Sequence, residues 1–277
     1  MTVISVDSAV NSDNVAAYIG ADNYGAGRMV AQSVLDGMEG ALCVGLINYE
    51  VNGANGRDRE QGARDAFAES GRARITAAVS THPNAASARA DTLAMLRTHP
   101  EINVLIALNE TTAVGAAQAV QQMQRADDLW LAAFDSNIET IDALQTGTVD
   151  TLIVQNTYGM GYFGVESAYK LLAGQGSSVE KSNITATRTI TRENMFAMDK
   201  QKALFPCGCP PKPGPCEPTA KALLPRRRRG FFIFPSPAKI LQNENNKHPF
   251  VTFAAHSAQK QTLSTGETAL NGENFHP

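Results

Sequence analysis

Residues 130–155 read WLAAFDSNIETIDALQTGTVDTLIVQ, and this stretch decides the fold. It opens with an apolar run that ends in Asp135, continues as a segment of helical period at Ile138–Thr146, and closes on a second apolar run, Thr151–Gln155. A strand, a helix and a strand of these lengths make a βαβ unit, whose two strands run parallel in one sheet. Asn137 stands where the helix needs an N-cap.

The same alternation spreads outward in both directions. Further strand candidates are Val3–Asp7, Cys43–Asn48, Arg74–Ser80 and Val104–Asn109, with a looser extended stretch at Ile184–Arg192. Helix candidates lie at Gly25–Gly37, Arg57–Ser70, Ala86–His99, Thr111–Arg125 and Met160–Ala173. Gly37 and Gly174 sit where helices would stop, Pro100 follows a last turn, and Thr111 is a candidate cap. Short, uniformly apolar strands between amphipathic helices imply a parallel sheet covered on both faces, and therefore an α/β fold.

Composition excludes several function classes. The chain has 277 residues, 43% of them hydrophobic, and a formal net charge of −3. That balance gives no drive toward nucleic acid, which selects a strongly basic surface. No apolar run approaches the ~18 residues of a membrane span, so no membrane insertion is expected. The start, MTVISVDSAV, lacks the basic and apolar regions of a signal peptide and reads as a buried strand, so sequence upstream is expected to be missing. Eleven of the 13 prolines and three of the four cysteines lie at or beyond Pro206. Two kinds of sequence therefore meet near Lys200.

Five strand candidates end in a hydrogen-bonding residue: Asp7, Asn48, Asn109, Asp135 and Gln155. In a parallel α/β sheet the C-terminal strand ends line the ligand crevice. The competing reading is that Asp and Asn open βα loops as Asx turns and helix caps. Gln155 is a poor cap, and Asn109 is followed by its own candidate, Thr111. Carboxylates, amides and an arginine suit a polyol, because they accept from adjacent hydroxyls, do both, and donate to oxygens. No nucleophile stands beside a base, and no phosphate loop, H-E-x-x-H or nucleophile elbow is present. His82 and His99 precede prolines or sit in loops, and the other three histidines lie beyond residue 200. No catalytic residue, metal ligand or cofactor is assigned, and the reading is a binding protein rather than an enzyme.

Several segments, in order, carry a resemblance: VISVDS (3–8), IGADNYGAGRMVAQ (19–32), NGRDREQGARDAF (55–67), VLIALNETTAVGAAQAV (104–120), LAAFDSN (131–137), TLIVQNTYGMGYFGVESAYKLLAG (151–174) and TITREN (189–194). Together they resemble the type I periplasmic sugar-binding proteins of ABC transporters, in the ribose/galactose branch, over roughly 195 residues. The resemblance implies two lobes joined by three crossovers that close on a sugar, a membrane permease as partner, and a periplasmic setting. A chain with no signal peptide would, expressed as it stands, stay in the cytoplasm. It also implies site roles. Asp7 grips sugar hydroxyls from the N-lobe, Arg59 donates from the start of a helix, Asn109 and Asp135 bind from the C-lobe, and Gln155 contacts sugar at a crossing. For Arg59 the competing reading is a solvated arginine on a helix face.

The matching segments imply this organisation: residues 1–21 as an N-lobe remnant, 22–154 as the C-lobe, 155–199 as the return to the N-lobe, and 200–277 as an unrelated, disordered tail. The family's first strand–helix units have no counterpart, so the chain reads as a truncated form that need not function alone. The VISV strand and the Tyr162–Leu172 helix are expected to expose apolar faces, and sugar binding is expected to be weak. Many relatives carry an aromatic after the second C-lobe strand, where this chain has Thr81-His82-Pro83-Asn84. The runner-up is the effector domain of a lactose-repressor-type, sugar-responsive regulator. In the tail, Cys207–Cys216 offers three thiols without paired C-x-x-C spacing, Arg226–Arg229 is a short basic run, and Phe231–Phe234 a short apolar one.

Overall fold

The computed structural model describes residues 2–205 and 251–254. The strands are β1 (Thr2–Val6), β2 (Val15–Ala21), β3 (Leu42–Asn48), β4 (Ala73–Ser80), β5 (Val104–Ala107), β6 (Trp130–Phe134), β7 (Thr151–Gln155), β8 (Ser182–Thr185), β9 (Thr187–Thr191) and β10 (Val251–Ala254). The helices are α1 (Asn23–Gly37), α2 (Ala54–Ser70), α3 (Ala85–Thr98), α4 (Glu110–Met123), α5 (Ile138–Thr146), α6 (Thr157–Leu172) and α7 (Met198–Leu204). Among the described residues the strands form two sheets. One has the order β4-β3-β5-β6-β7-β9 and the other β10-β1-β2-β8.

In the larger sheet all neighbours are parallel except β9, which pairs antiparallel with β7. The α/β class expected from the sequence is therefore the observed one, with a single antiparallel edge strand added. Alternate residues of each strand serve opposite faces. On β6, Leu131 and Ala133 join the core under α3, α4 and α5, while Ala132 and Phe134 join the core under α1 and α2. Burial on both faces is why these strands are apolar at every position instead of at every second one.

Three segments pass between the sheets: β2 into α1 at Asp22, β7 into α6 at Asn156, and β8 into β9 at Ala186. These are the crossovers the resemblance implies. Strand β2 is absent from the sequence reading because VAAYIGA carries no β-branched run. It holds its place as an interior strand between β1 and β8, where small residues fit. A Cβ at Gly20 would lie 2.0 Å from the Tyr18 hydroxyl oxygen. The Tyr18 ring thus lies across Gly20, and its hydroxyl donates to the Asp7 carbonyl at 3.1 Å.

The two expected apolar exposures come out differently. Helix α6 does leave Tyr162, Val165, Tyr169 and Leu172 more than half exposed, with Tyr158 on the same side. Strand β1 does not: it is paired in parallel by β2 and β10, and Ile4 is fully buried in a core cluster with Ile19, Met160 and Ala168. Of the segment 200–277, the described parts are the end of α7, which buries Leu204, and β10. The Cys207–Cys216, Arg226–Arg229 and Phe231–Phe234 stretches lie outside the described residues.

Asp150, just ahead of β7, accepts from the Leu131 amide at 2.8 Å. Burial raises its carboxyl pKa to about 6, against the pull of the Leu131 amide and of Arg192. The folded chain then holds this proton more tightly than the unfolded chain does. Its contribution favours folding most at acid pH and declines as pH rises from ~4 through about 6. Asp150→Asn keeps an acceptor for Leu131 and removes the charge. Urea denaturation should show that variant roughly 1–2 kcal/mol more stable near neutral pH, less than full burial would give because the carboxyl is partly solvated. The difference should vanish below pH ~4.

Candidate functional site

The C-terminal ends of β5, β6 and β7 lie side by side, and the start of α2 reaches over them. Arg59 sits within the first two turns of α2, which begins at Ala54, three residues earlier than the periodicity indicated. The helix comes close because α1 and α2 pack through glycines. A Cβ at Gly27 would lie 2.0 Å from the Arg59 carbonyl oxygen, and one at Gly62 would lie 2.1 Å from the Tyr24 carbonyl oxygen. Only glycine tolerates that approach of two backbones.

Arg59 is 4% exposed, so the solvated helix-face reading does not hold for it. Its neighbour Arg57 takes that role, with a side chain 62% exposed beside Asp58. Arg59 Nε donates to Asn23 Oδ1 at 2.9 Å, and Nη1 donates to the Leu108 carbonyl at 2.9 Å. Nη1 also lies 3.6 Å from Asp135 Oδ2, and the guanidinium carbon stands 4.6 Å from the centre of the Phe134 ring. A buried guanidinium must find acceptors for its donors, and a ring face adds cation–π attraction.

Asp135 accepts at Oδ1 from Gln155 Nε2 at 2.7 Å, so the three predicted residues Arg59, Asp135 and Gln155 form one cluster. Gln155 is 7% exposed, and its Oε1 has no hydrogen-bond partner among the described residues. An orphaned buried acceptor beside a carboxylate and a guanidinium is what a hydroxylated ligand would satisfy.

Asp7 follows β1 in the smaller sheet, yet its carboxylate meets helix α2, which packs on the larger one. Asn55 Nδ2 donates to Asp7 Oδ2 at 3.3 Å and to Ser8 Oγ at 3.4 Å. Asp7 and Asp135 both adopt the left-handed conformation, with φ of 70° and 65°. Each therefore turns sharply at its strand end, a strained geometry that clusters at ligand sites.

Asn109 makes no hydrogen bond to this cluster among the described residues. It is 2% exposed and is itself the N-cap of α4, in place of the expected Thr111. The helix starts earlier because Thr112 occupies the third helical position and its Oγ1 accepts from the Asn109 amide at 3.0 Å. The Asn109 side chain accepts from the Tyr49 amide at 3.3 Å, and its Nδ2 makes no hydrogen bond among the described residues. Asn48 follows the bland reading outright. Its Oδ1 accepts from Glu50 N at 2.9 Å, an Asx turn, and its Nδ2 donates to the Gly56 carbonyl and Glu60.

Sequence reasoning missed Asn23, Asn55, Phe134 and Tyr49. Tyr49 is an aromatic in the loop after β3, one strand before the Thr81–Asn84 loop. Burial pushes its phenol pKa up, the Glu50 and Asp135 carboxylates push further, and Arg59 pulls it back. The phenol therefore shares the electrostatic surroundings of the cluster. Among the described residues no group of three or more His, Cys, Asp or Glu could hold a metal, and no helix is long and apolar enough to cross a membrane.

Arg59→Met would keep most of the packing and strip the charge. It would leave Asn23 Oδ1 and the Leu108 carbonyl without their donor and Asp135 without its cation. The expected loss is about 3 kcal/mol in urea denaturation, read as a lower midpoint at unchanged slope. A variant within 0.5 kcal/mol of the parent, as is usual for an exposed arginine, would contradict this account of the cluster.

Comparison with known proteins places the chain in a family. The sequence profile of the periplasmic binding protein domain matches residues 1–176. The D-ribose/D-allose-binding protein of Pseudomonas aeruginosa is 28% identical over 194 residues, covering 68% of this chain and 60% of that protein. The D-allose-binding periplasmic protein of Escherichia coli is 24% identical, covering 59% of this chain and 55% of its own length. The chain thus spans somewhat more than half the length of these curated relatives. Among solved structures, GanP, a glucose-galactose binding protein from Geobacillus stearothermophilus, is 29% identical with a TM-score of 0.66, covering 70% of this chain and 68% of that one. An ABC transporter solute-binding protein from Agrobacterium vitis, with bound D-fucose, is 25% identical with a TM-score of 0.69 and covers 73% and 70%. With more than half of its length matched by that profile, the chain belongs to the periplasmic binding protein domain family.

Proposed function

We propose that this chain carries the site at which an ABC transporter's substrate-binding protein captures a sugar in the periplasm, without chemical turnover. The observation that carries this reading is the Arg59–Asp135–Gln155 cluster with its orphaned Gln155 Oε1. A sugar hydroxyl can donate to that oxygen while its own oxygen accepts from the guanidinium, and an adjacent hydroxyl can donate to Asp135. Asp7 offers a second carboxylate from the other sheet, and Asn109 and Tyr49 flank the cluster.

Residues of both sheets contribute, so a ligand touching Asp7 on one side and Asp135 on the other favours the conformation in which the two are near. A solvated sugar must give up its water and its freedom, so it needs contacts from both sides to bind well. Nothing in the cluster pairs a nucleophile with a base, and its groups hold hydroxyls in place without attacking a bond. The transporter's membrane permease is the partner that would receive the sugar. Support comes from the sugar-binding relatives and from the D-fucose bound in a solved structure of similar fold.

Isothermal titration calorimetry with D-ribose, D-allose, D-galactose, D-glucose and D-fucose, each to millimolar concentration, tests this. At least one sugar should give saturable heat. Asp135→Ala and Gln155→Ala should each weaken it about tenfold or more, the usual loss of a hydrogen bond to or from a charged group. Absence of heat with every sugar, or affinity unchanged in both variants, would overturn the reading.

A further inference from the structure

The hydrogen bonds between Arg59 and Asp7 form a chain with one direction. Arg59 Nε donates to Asn23 Oδ1 at 2.9 Å, Asn23 Nδ2 donates to Asn55 Oδ1 at 3.2 Å, and Asn55 Nδ2 donates to Asp7 Oδ2 at 3.3 Å. A guanidinium has only donors and a carboxylate only acceptors, so the two ends set how each amide must lie. Neither asparagine can turn its amide round without putting two donors or two acceptors face to face. Both are deeply buried, Asn23 at 7% and Asn55 at 5% exposure, where such a mismatch is costly.

Their places in the fold give the chain a purpose. Asn23 opens α1 directly after the Asp22 crossing between the sheets, and Asn55 lies in the first turn of α2. Asp7 belongs to the smaller sheet and Arg59 to the layer packed on the larger one. Any motion that separates the sheets at this crossing must lengthen the Asn55–Asp7 link. The orientation of Arg59 is therefore tied to the position of Asp7 through two neutral amides that need not touch ligand.

We propose that Asn23 and Asn55 are positioning residues: a polarised amide relay that aims Arg59 according to whether Asp7 is docked against α2. The relay deepens the sugar-capture reading, which supplies its use, but it can be tested without any sugar.

The test reads the Arg59 Nε–H resonance by 15N NMR in the full chain. Asp7→Asn should displace that resonance in the parent. In the Asn55→Ala background the same substitution should move it less, because the link between Asp7 and Asn23 is gone. Asn23→Asp gives a second background that spares the fold. Its carboxylate still accepts from Arg59 Nε but has no N–H for Asn55 Oδ1, so the Asn23–Asn55 hydrogen bond is lost while the Arg59 one remains. There too the displacement should shrink, with far-UV circular dichroism unchanged. A displacement of equal size in all three backgrounds, or none in the parent, would overturn the relay. Calorimetry keeps the two claims apart. Lack of heat with every sugar sinks capture and leaves the NMR result standing, whereas equal displacements sink the relay even if a sugar binds.

Discussion

A guanidinium buried to 4% exposure imposes more on this structure than any other single group. Removing such a charge from water costs several kcal/mol, which only well-placed acceptors offset. Those acceptors come from separate parts of the chain: Asn23 at the head of α1, the Leu108 carbonyl after β5, and Asp135 after β6. Phe134 supplies the ring beneath. The requirement that all of them meet Arg59 fixes the depth of α2 over the strand ends. The glycine contacts at Gly27 and Gly62 are what allow the two helices to lie close enough for that to happen.

Around this anchor the chain passes between two sheets three times, and two of the polar residues adjoin those passages. Asn23 follows the first crossing and Gln155 precedes the second. Asp7 and Asp135, one on each sheet, leave their strands in the same left-handed turn. Strain of this kind is retained where it points a side chain somewhere a relaxed strand end would not. Here it brings two carboxylates within the reach of one network of amides and one arginine. A ligand that bridges them acts on the relation between the sheets as well as on its own contacts.

Helix α6 shows a different balance. Met160 and Ala168 are buried against the smaller sheet, while Tyr162, Val165, Tyr169 and Leu172 stay exposed on the other side. The period of this segment made the helix easy to find, but periodicity reports that a face is apolar and not what lies against it. The same limit applied to β1, whose apolar run suggested exposure and whose partner proved to be a strand from 251–254, far along the chain.

The amino-acid order alone determined the alternation of strands and helices, the α/β class and the set of strand-end residues. Those follow from local period, and period survives in any tertiary setting because buried strands and amphipathic helices differ at neighbouring positions. Strand ends also singled out Asp135 and Gln155, the family resemblance added Arg59, and the fold gathers the three into contact. The amino-acid order could not show that Asn48 closes its own loop, that Asn109 caps α4, or that Asn23 and Asn55 join Asp7 to Arg59. Nor could it find β2, whose strand conformation depends on its neighbours. An amide reads alike in sequence whether it caps a helix, turns a loop or carries a hydrogen bond between layers. Only the tertiary structure decides, because for Asn23 and Asn55 the partner that gives the role lies dozens of residues away and is brought near by packing.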